Sequence, residues 1–414
     1  MEPVPDSLDE ILRRRAVTSV YQPIVELASG RVVGYEALAR GPAGSSLERP
    51  DLLFEAARRE GRLGELDWAC RSAAVIGAIE GRFAPSLTLF VNVEPDALAV
   101  PTPPSALPLV DIAVRQLRIV VEVTERAIAN QPAELLTALA RIRQLGWGVA
   151  VDDVGTDARS LAIMPFLRPD VVKLDLRLVR NRPDPDIAAT VNAVNAHAER
   201  TGAVVLAEGI ETEEHLDTAL AIGATMGQGW RFGYPGPLPA TAGLDAGPRI
   251  PFLDREANED HATPWDVVEG EAPVRVGDKR LLAAMSRRLE ANAEGGEAPV
   301  VLSCFQHSAN FSETSRRRYA AMARRLPFVA ALGIGMAHEP APGVRGAALR
   351  PDDPLRSIWA VHVLGPYFSG ALVARDLADD GPPHRRRLEF ALTYRRDLVI
   401  RSAQALLRRI VPLT

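Results

Sequence analysis

The 414-residue sequence contains few residues of several kinds, and each scarcity excludes a class of protein. Its two cysteines, Cys70 and Cys304, cannot build a disulfide framework or a zinc-binding cluster, so a reducing compartment is expected. The net charge of −5 excludes the basic surface that binding to duplex nucleic acid requires. The longest apolar run, residues 326–336, is well short of the roughly 18 residues that cross a bilayer. Because the acidic first ten residues also lack the features of a signal peptide, we expect a cytoplasmic protein with no membrane partner and no nucleic-acid duplex partner.

Lysine is as scarce as cysteine. Among the 48 basic residues only Lys173 and Lys279 are lysines, and all the others are arginines. A guanidinium stays charged and presents a broad fork, whereas an ammonium is compact and can lose its proton when desolvated. The lysine at position 173 is therefore a candidate for a site that needs an ammonium, with chance as the alternative.

The apolar pattern predicts two domains. A hairpin at residues 28–30 joins strands at 19–27 and 31–38, and strands then alternate with helices. The later predicted strands lie at residues 87–93, 117–123, 149–152, 171–174, 204–207 and 224–232. Repeated strand–helix units predict an α/β fold, a (β/α)8 TIM-like barrel with one antiparallel strand, over residues 1–240. Residues 241–272, rich in Pro, Gly, Asp and Glu, predict a linker, and residues 273–414 a smaller C-terminal α/β or α+β domain.

Polar residues occupy almost every carboxyl end of the predicted barrel strands. Because these ends converge on one mouth of a barrel, we expect a single site there. Its members would be Glu36, Asn92, Glu122, Asp152, Asp153, Lys173, Asp175, Glu208 and Gln228. Clustered carboxylates raise one another's pKa and call for cations, and oxygen ligands without histidine or cysteine favour Mg²⁺ or Mn²⁺ over zinc. A carboxylate that bridges two such ions is the usual way to cleave a phosphodiester, although any one of these residues could be an ordinary strand end or helix cap.

The order of short motifs resembles one family, the EAL-domain cyclic-di-GMP phosphodiesterases, over about residues 8–240. The motifs are YQPI at 21–24, EALAR at 36–40, VNVEP around Asn92, EVTE at 122–125, DDVGT at 152–156, KLD at 173–175, EGIE at 208–211 and QG at 228–229. Eight motifs in family order make this a specific signal, which a lone EAL would not be.

The resemblance implies a role for each matched residue. Two divalent metal ions, Mg²⁺ or Mn²⁺, would be held by Glu36, Asn92, Glu122, Asp152 and Asp153, with Asp152 as the bridge and Glu208 more remote. Lys173 would hold or polarise the attacking water, with Glu208 as general base, and Gln228 would order the surrounding groups. Gln22, Leu38, Arg40, Asp175 and Glu211 would line or order the substrate site, with Arg40 as a phosphate clamp. Glu125 would position the loop that follows the paired aspartates.

That loop departs from the family pattern. The family usually has Phe-Gly-Thr-Gly-Tyr-Ser-Ser-Leu where this sequence has Val-Gly-Thr-Asp-Ala-Arg-Ser-Leu at residues 154–161. In the family the loop couples dimerisation to metal binding, and Asp157 in place of glycine restricts the backbone and adds a charge. Every residue that the resemblance implies as a direct metal ligand is retained, so we expect an intact site, with the departure bearing on the rate and its regulation.

The second domain resembles the DICT sensory module over about residues 264–410, on stretches such as VVLSCFQHSANFS. We therefore hypothesise a cyclic-di-GMP phosphodiesterase that forms linear pGpG by a two-metal mechanism, regulated by a C-terminal sensory domain with an unknown ligand or protein partner. A homodimer is expected by resemblance alone. The alternatives are a catalytically silent cyclic-di-GMP receptor that signals through a partner and, more remotely, a sugar hydrolase with paired carboxylates, which would leave Asn92 and Lys173 without a role.

Overall fold

The computed structural model describes residues 4–97, 100–124, 131–156, 161–181, 184–241, 243–253, 261–293, 299–377 and 386–410. The chain forms two compact units. The first comprises Met1–Ala127, Ala138–Thr156 and Arg168–Arg255, and the second comprises Ile128–Thr137, Asp157–Leu167 and Glu256–Thr414. In the part of the chain that is described, no helix combines the length and the apolar character needed to cross a membrane.

The first unit is a closed eight-stranded barrel with its strands in chain order. The strands are β1 (Thr18–Glu26), β2 (Val32–Arg40), β3 (Thr88–Asn92), β4 (Arg118–Thr124), β5 (Gly148–Val154), β6 (Val171–Leu174), β7 (Val204–Ala207) and β8 (Met226–Gln228). Strand β1 runs antiparallel to both β2 and β8, while the remaining neighbours are parallel. The predicted TIM-like barrel with one antiparallel strand is therefore confirmed.

One helix precedes β1, and the others occupy the connections between these strands. Their bounds are Leu8–Arg14, Pro50–Arg59, Leu63–Glu80, Leu107–Gln116, Pro132–Gln144, Met164–Leu167, Leu176–Arg180, Pro185–Thr201 and Glu213–Ala221. Polar caps set their starts: the Asp184 side chain accepts from the backbone of Ile187, and the Thr212 side chain accepts from that of His215. Helix Pro185–Thr201 ends at Gly202, whose φ of 79° is the left-handed conformation that glycine adopts without strain.

The barrel interior is filled by apolar side chains from the strands and by one residue from the predicted linker. Phe90 and Val120 point inward and belong to this core, as does Ile250, which is 0% exposed. The Ile250 carbonyl accepts from Arg118, and the Arg118 guanidinium lies 3.5 Å from the centre of the Phe252 ring. Part of the stretch predicted as a linker therefore packs into the barrel, and a fragment ending at residue 240 would lose a core residue.

The second unit is built on a seven-stranded sheet in the order β12-β11-β10-β13-β14-β15-β9. The strands are β9 (Val274–Asp278), β10 (Val300–His307), β11 (Val329–Ile334), β12 (Arg345–Leu349), β13 (Ile358–Leu364), β14 (Ser369–Asp376) and β15 (Arg387–Thr393). The β10–β11 and β11–β12 pairs are parallel and the others antiparallel. Its helices in the C-terminal part of the chain are Pro264–Val268, Lys279–Ala291, Glu313–Ala323 and Arg396–Leu407, which agrees with the predicted smaller α+β domain.

Helix Met164–Leu167 is part of the second unit by its packing. Within this unit Gln404, 8% exposed, donates from Nε2 to the carbonyl of Phe166 at 3.0 Å. The helix follows the paired aspartates in the chain and precedes strand β6. A side chain of helix Arg396–Leu407 therefore hydrogen-bonds to the backbone of helix Met164–Leu167.

Candidate active site

Strand register brings the predicted polar residues to one end of the barrel. Asn92 pairs with Glu122 across β3 and β4, and Gln22 pairs with Glu36 across β1 and β2. Glu122 is 1% exposed, and Glu36 is 6% exposed. Such burial is unusual for carboxylates unless each is paired, so each must have a charged or polar neighbour.

Lys173 is that neighbour for four carboxylates. Its ammonium lies 2.8 Å from Glu122 Oε1, 2.8 Å from Glu208 Oε1, 3.2 Å from Asp152 Oδ1 and 3.7 Å from Glu36 Oε2. Lysine 173 is only 1% exposed, so the ammonium sits where a bulkier guanidinium fork would collide with its partners. The structure thus places Lys173 at the centre of the predicted cluster.

Amide side chains hold Glu36 from the other side. Asn92 Nδ2 donates to Glu36 Oε1 at 2.8 Å, and Gln228 Nε2 donates to Glu36 Oε2 at 2.7 Å. Gln228 also donates to Gln22 Oε1 at 3.0 Å, and Gln22 donates to the Gly233 carbonyl at 3.1 Å. Burial alone would raise the pKa of Glu36, but Lys173 and these hydrogen bonds together lower it below its usual value. Glu36 is therefore an ionised carboxylate whose two oxygens are oriented by two amides.

The backbone at the end of β5 allows two adjacent aspartates to serve one site. Asp153 has a φ of 59°, in the left-handed region, and its backbone N–H donates to Asp152 Oδ1 at 2.9 Å. The β5–β6 register shifts between Val151 and Val154, which breaks the alternation of the strand. As a result Asp152, Asp153 and Glu208 each offer an oxygen within 4.8 Å of one another.

The cluster shifts the pKa of its own members. Burial, reinforced by the charge of Glu36, raises the pKa of Glu122 well above its usual value. Burial also raises the pKa of Glu208 to about 8, with Asp152 adding to the effect and Lys173 opposing it. Burial by itself would lower the pKa of Lys173, but the surrounding carboxylates raise it well above its usual value, so the ammonium is charged. One ammonium is thus surrounded by several carboxylates, whose combined negative charge can exceed its single positive charge.

The donor set fits divalent ions. Glu122 Oε1 contacts the Lys173 ammonium, whereas Glu122 Oε2 and Gln228 Oε1 are buried without a hydrogen-bond partner among the described residues. The group formed by Asp152, Asp153 and Glu208 adds three hard oxygen donors in mutual reach. Hard oxygen donors in excess of the available positive charge are the ligands that Mg²⁺ and Mn²⁺ prefer.

Other predicted residues lie beside this cluster rather than in it. Asp175 caps helix Leu176–Arg180 and accepts from Arg177 Nε at 2.8 Å. Glu211 accepts from Arg180 Nη2 at 2.7 Å, and Arg180 Nε donates to the Gly209 carbonyl at 3.1 Å. Arg180 was not among the predicted site residues, although its position on the helix that follows the KLD motif could have suggested it. It holds the EGIE segment that carries Glu208.

Two predicted substrate residues follow Glu36 along β2. Leu38 and Arg40 are both half-buried, and Arg40 Nη1 donates to the Ala39 carbonyl at 2.8 Å. They lie beyond Glu36 toward the end of the same strand. Glu125 and residues 157–160 of the altered loop lie outside the described residues.

Two family models match the chain. The EAL domain model matches residues 6–235, more than half of the sequence. This protein belongs to the EAL-domain family. The model described as the sensory domain in diguanylate cyclases and two-component systems, DICT, matches residues 267–377. Both resemblances inferred from the motifs are confirmed.

Relatives match this EAL protein over its barrel. PdeG of Escherichia coli, named a probable cyclic di-GMP phosphodiesterase, is 29% identical over 238 residues, covering 55% of this chain and 47% of PdeG. NbdA of Pseudomonas aeruginosa, named a cyclic di-GMP phosphodiesterase, is 31% identical over 246 residues, covering 57% of this chain and 31% of NbdA. The chain therefore matches less than half the length of these relatives.

Solved structures of EAL proteins also match. The manganese and cyclic-di-GMP complex of BlrP1 from Klebsiella pneumoniae is 30% identical, covers 53% of this chain and 56% of that chain, and has a TM-score of 0.47. The Listeria monocytogenes EAL-domain protein is 23% identical, covers 56% of this chain and 92% of that chain, and has a TM-score of 0.47.

Proposed function

We propose that the barrel hydrolyses cyclic-di-GMP to linear pGpG with two divalent metal ions. The observation that carries the proposal is the buried cluster in which Lys173 Nζ lies 2.8 Å from both Glu122 and Glu208 and 3.2 Å from Asp152. Membership of the EAL family supports it, as do relatives named as cyclic di-GMP phosphodiesterases.

The proposed ligands of the two ions are Glu36, Asn92, Glu122, Asp152 and Asp153, with Glu208 near the Asp152–Asp153 pair. The chemistry that such ions supply when bound is activation of water and neutralisation of charge at the phosphodiester. Mg²⁺ and Mn²⁺ both suit this oxygen set.

The protein's own groups have separate tasks in the proposed reaction. The Lys173 ammonium orients the attacking water, and Glu208, which lies 2.8 Å from that ammonium, accepts the proton of the water as general base. The oxygen of the water bonds to phosphorus, the P–O bond to the ribose 3′ oxygen breaks, and that oxygen takes up a proton to become the 3′-hydroxyl of the linear dinucleotide. Gln228 keeps Glu36 oriented. Gln22, Leu38, Arg40, Asp175 and Glu211 are proposed to line or order the substrate site.

Hydrolysis of cyclic-di-GMP by the full chain with Mg²⁺, with Mn²⁺ and with excess chelator tests this proposal. We expect metal-dependent formation of pGpG that falls at least about 100-fold in Asp152→Asn and Glu36→Gln. Asp186→Asn, on an exposed first turn of helix Pro185–Thr201, is the matched control and should hydrolyse like the parent. Undiminished hydrolysis by Asp152→Asn would refute the site.

A receptor is the second candidate, because the loop at residues 154–161 differs from the family pattern. It predicts tight binding of cyclic-di-GMP with no product under any metal. Calorimetric titration of the same samples measures binding, and the hydrolysis assay measures pGpG. Binding without pGpG indicates a receptor, whereas an enzyme must release pGpG.

We further propose that the sensory domain regulates hydrolysis. The support is the Gln404–Phe166 hydrogen bond, which ties the segment after the paired aspartates to helix Arg396–Leu407. Gln404→Ala should change the hydrolysis rate without changing any proposed metal ligand. Arg401→Ala, on the same helix and paired with Glu271 at 2.8 Å, is the control. Equal rates in both variants and the parent would remove this route of regulation.

The expected homodimer is a separate proposal that rests on family resemblance. Light scattering of the full chain gives the mass directly. A mass of one 44.7 kDa chain across the assay concentrations would refute it.

A further inference from the structure

An apolar cavity of about 120 Å³ lies on the outside of the barrel wall, away from the acidic cluster. Its walls are strands β3 and β4, helices Leu63–Glu80 and Leu107–Gln116, and the last turns of helix Pro132–Gln144. Val91 and Val121 line it, whereas their neighbours Phe90 and Val120 point into the barrel core. The cavity is therefore distinct from the proposed active site, from which β3 and β4 separate it.

The size of the cavity defines what could fill it. Its apolar walls include Val75, Val110, Ala113, Ile119 and Ile142. An engineered apolar cavity of roughly 150 Å³ in another protein stays free of water and binds benzene. A volume of about 120 Å³ accordingly suits one aromatic ring or a short branched chain.

The polar atoms in the cavity walls indicate that the occupant also has a polar group. Trp68 Nε1, Trp147 Nε1 and Arg71 Nε belong to lining residues and are buried without a hydrogen-bond partner in the described part of the chain. All three are N–H donors, and none is an acceptor. Buried donors are nearly always paired in folded proteins, so three of them around one cavity call for a molecule that presents acceptors.

The charge of the lining residues also favours an occupant that presents acceptors. Arg71 and Arg141 both line the cavity, and the described lining residues include no carboxylate. The Arg71 guanidinium lies 3.7 Å from the centre of the Trp68 ring and also pairs with Asp67 outside the lining. An anionic acceptor group is therefore favoured over a neutral one.

We propose that this cavity is a binding site for a small aromatic carboxylate, with the ring among the apolar side chains and the carboxylate against the indole and guanidinium donors. The site is independent of the proposed phosphodiesterase activity. Val91 and Val121 directly precede the proposed metal ligands Asn92 and Glu122, so an occupant borders the strands that carry them.

Nuclear magnetic resonance of the full chain with ¹⁵N-labelled tryptophan tests the site, because the sequence has five tryptophans and two line the cavity. Sodium benzoate is the probe and toluene the comparison of similar size without an acceptor. We expect benzoate to shift the indole N–H signals of Trp68 and Trp147 and to leave those of Trp230, Trp265 and Trp359 unchanged. Toluene should bind at least about tenfold more weakly than benzoate, because it leaves the donors unpaired.

Variants make the outcome decisive. Ala113→Met fills the cavity and should abolish the benzoate shifts, while Ala221→Met, on an exposed helix position, should not. Trp68→Phe should weaken benzoate but not toluene. If Ala113→Met fails to fold, Ala138→Val at another lining position replaces it. Absence of the shifts in the parent, their persistence in the filled variant, or equal binding of benzoate and toluene would each overturn the proposal.

Discussion

Replacing Lys173 by methionine tests the centre of the site. The substitution removes the charge and keeps an unbranched chain of similar length, at a position only 1% exposed. Four carboxylates lose the ammonium that now lies within 3.7 Å of each. Breaking a buried ion pair by removing one partner costs about 3–5 kcal/mol. Because Glu122 has a raised pKa and can take up a proton instead, we expect the lower end, about 3 kcal/mol, at neutral pH.

Urea unfolding in excess chelator measures this loss. Divalent ions should restore part of the lost stability in the variant, because they replace the missing positive charge. Lys279→Met is the matched control: it removes the other lysine, which is half-buried at the start of helix Lys279–Ala291, and should change stability by no more than about 0.5 kcal/mol. A Lys173→Met variant as stable as the parent in chelator would refute the argument from buried charge.

Lys173→Arg separates charge from shape. The charge remains, but the larger planar guanidinium must displace carboxylates that already lie 2.8 Å from the ammonium. We expect hydrolysis of cyclic-di-GMP to fall about 100-fold in both variants. Hydrolysis by Lys173→Arg within about twofold of the parent would show that any buried cation suffices.

Three further predictions concern other parts of the molecule. Gly229→Ala should destabilise the barrel by about 1–3 kcal/mol, because its Cβ would lie 2.1 Å from the Ile210 carbonyl oxygen, whereas Gly236→Ala, with 4.0 Å of room, should be neutral in the same unfolding assay. Burial lowers the pKa of His362 to about 4. Since the unfolded chain binds that proton near pH 6.5, the second unit should lose about 3 kcal/mol of stability as pH falls from 6.5 to 4, and His362→Gln should remove most of that slope in acid titrations followed by circular dichroism. Burial raises the pKa of Glu208 to about 8, so Mn²⁺ affinity measured by calorimetry should rise with pH up to that value because the ion must displace a proton; a flat profile would contradict it.

Most of the site was accessible from the sequence because a parallel barrel converts strand ends into neighbours. Glu122, Asp152, Lys173 and Glu208 lie near or just after the carboxyl ends of successive strands, and the structure brings all four together. The pairing of one rare lysine with many acids could likewise be suspected from composition. The sequence could not predict which carboxylate oxygens contact Lys173, because those contacts depend on where the side chains lie in space.

Two strands of the second sheet have weak sequence signals for a shared physical reason. Strands β9 and β12 form the two edges of the second sheet. Strand β9 is Val-Arg-Val-Gly-Asp, only five residues long and mostly exposed, so its alternation is too brief to predict a strand. Strand β12 is Arg-Gly-Ala-Ala-Leu, which has little β-propensity. Their pairing with a neighbouring strand, rather than their own residues, makes them strands.

The sequence by itself determined the barrel, the residues at its mouth and the family, because period-two and helical patterns and the motifs that follow them are local. The tertiary structure alone decided three features. It turned Asp153 into the left-handed conformation that aims two adjacent aspartates at one site. It placed Ile250, from a stretch that reads as linker, in the barrel core. It left three buried donors around one apolar cavity. Each depends on contacts between residues far apart in the chain, for which a linear pattern carries no signal.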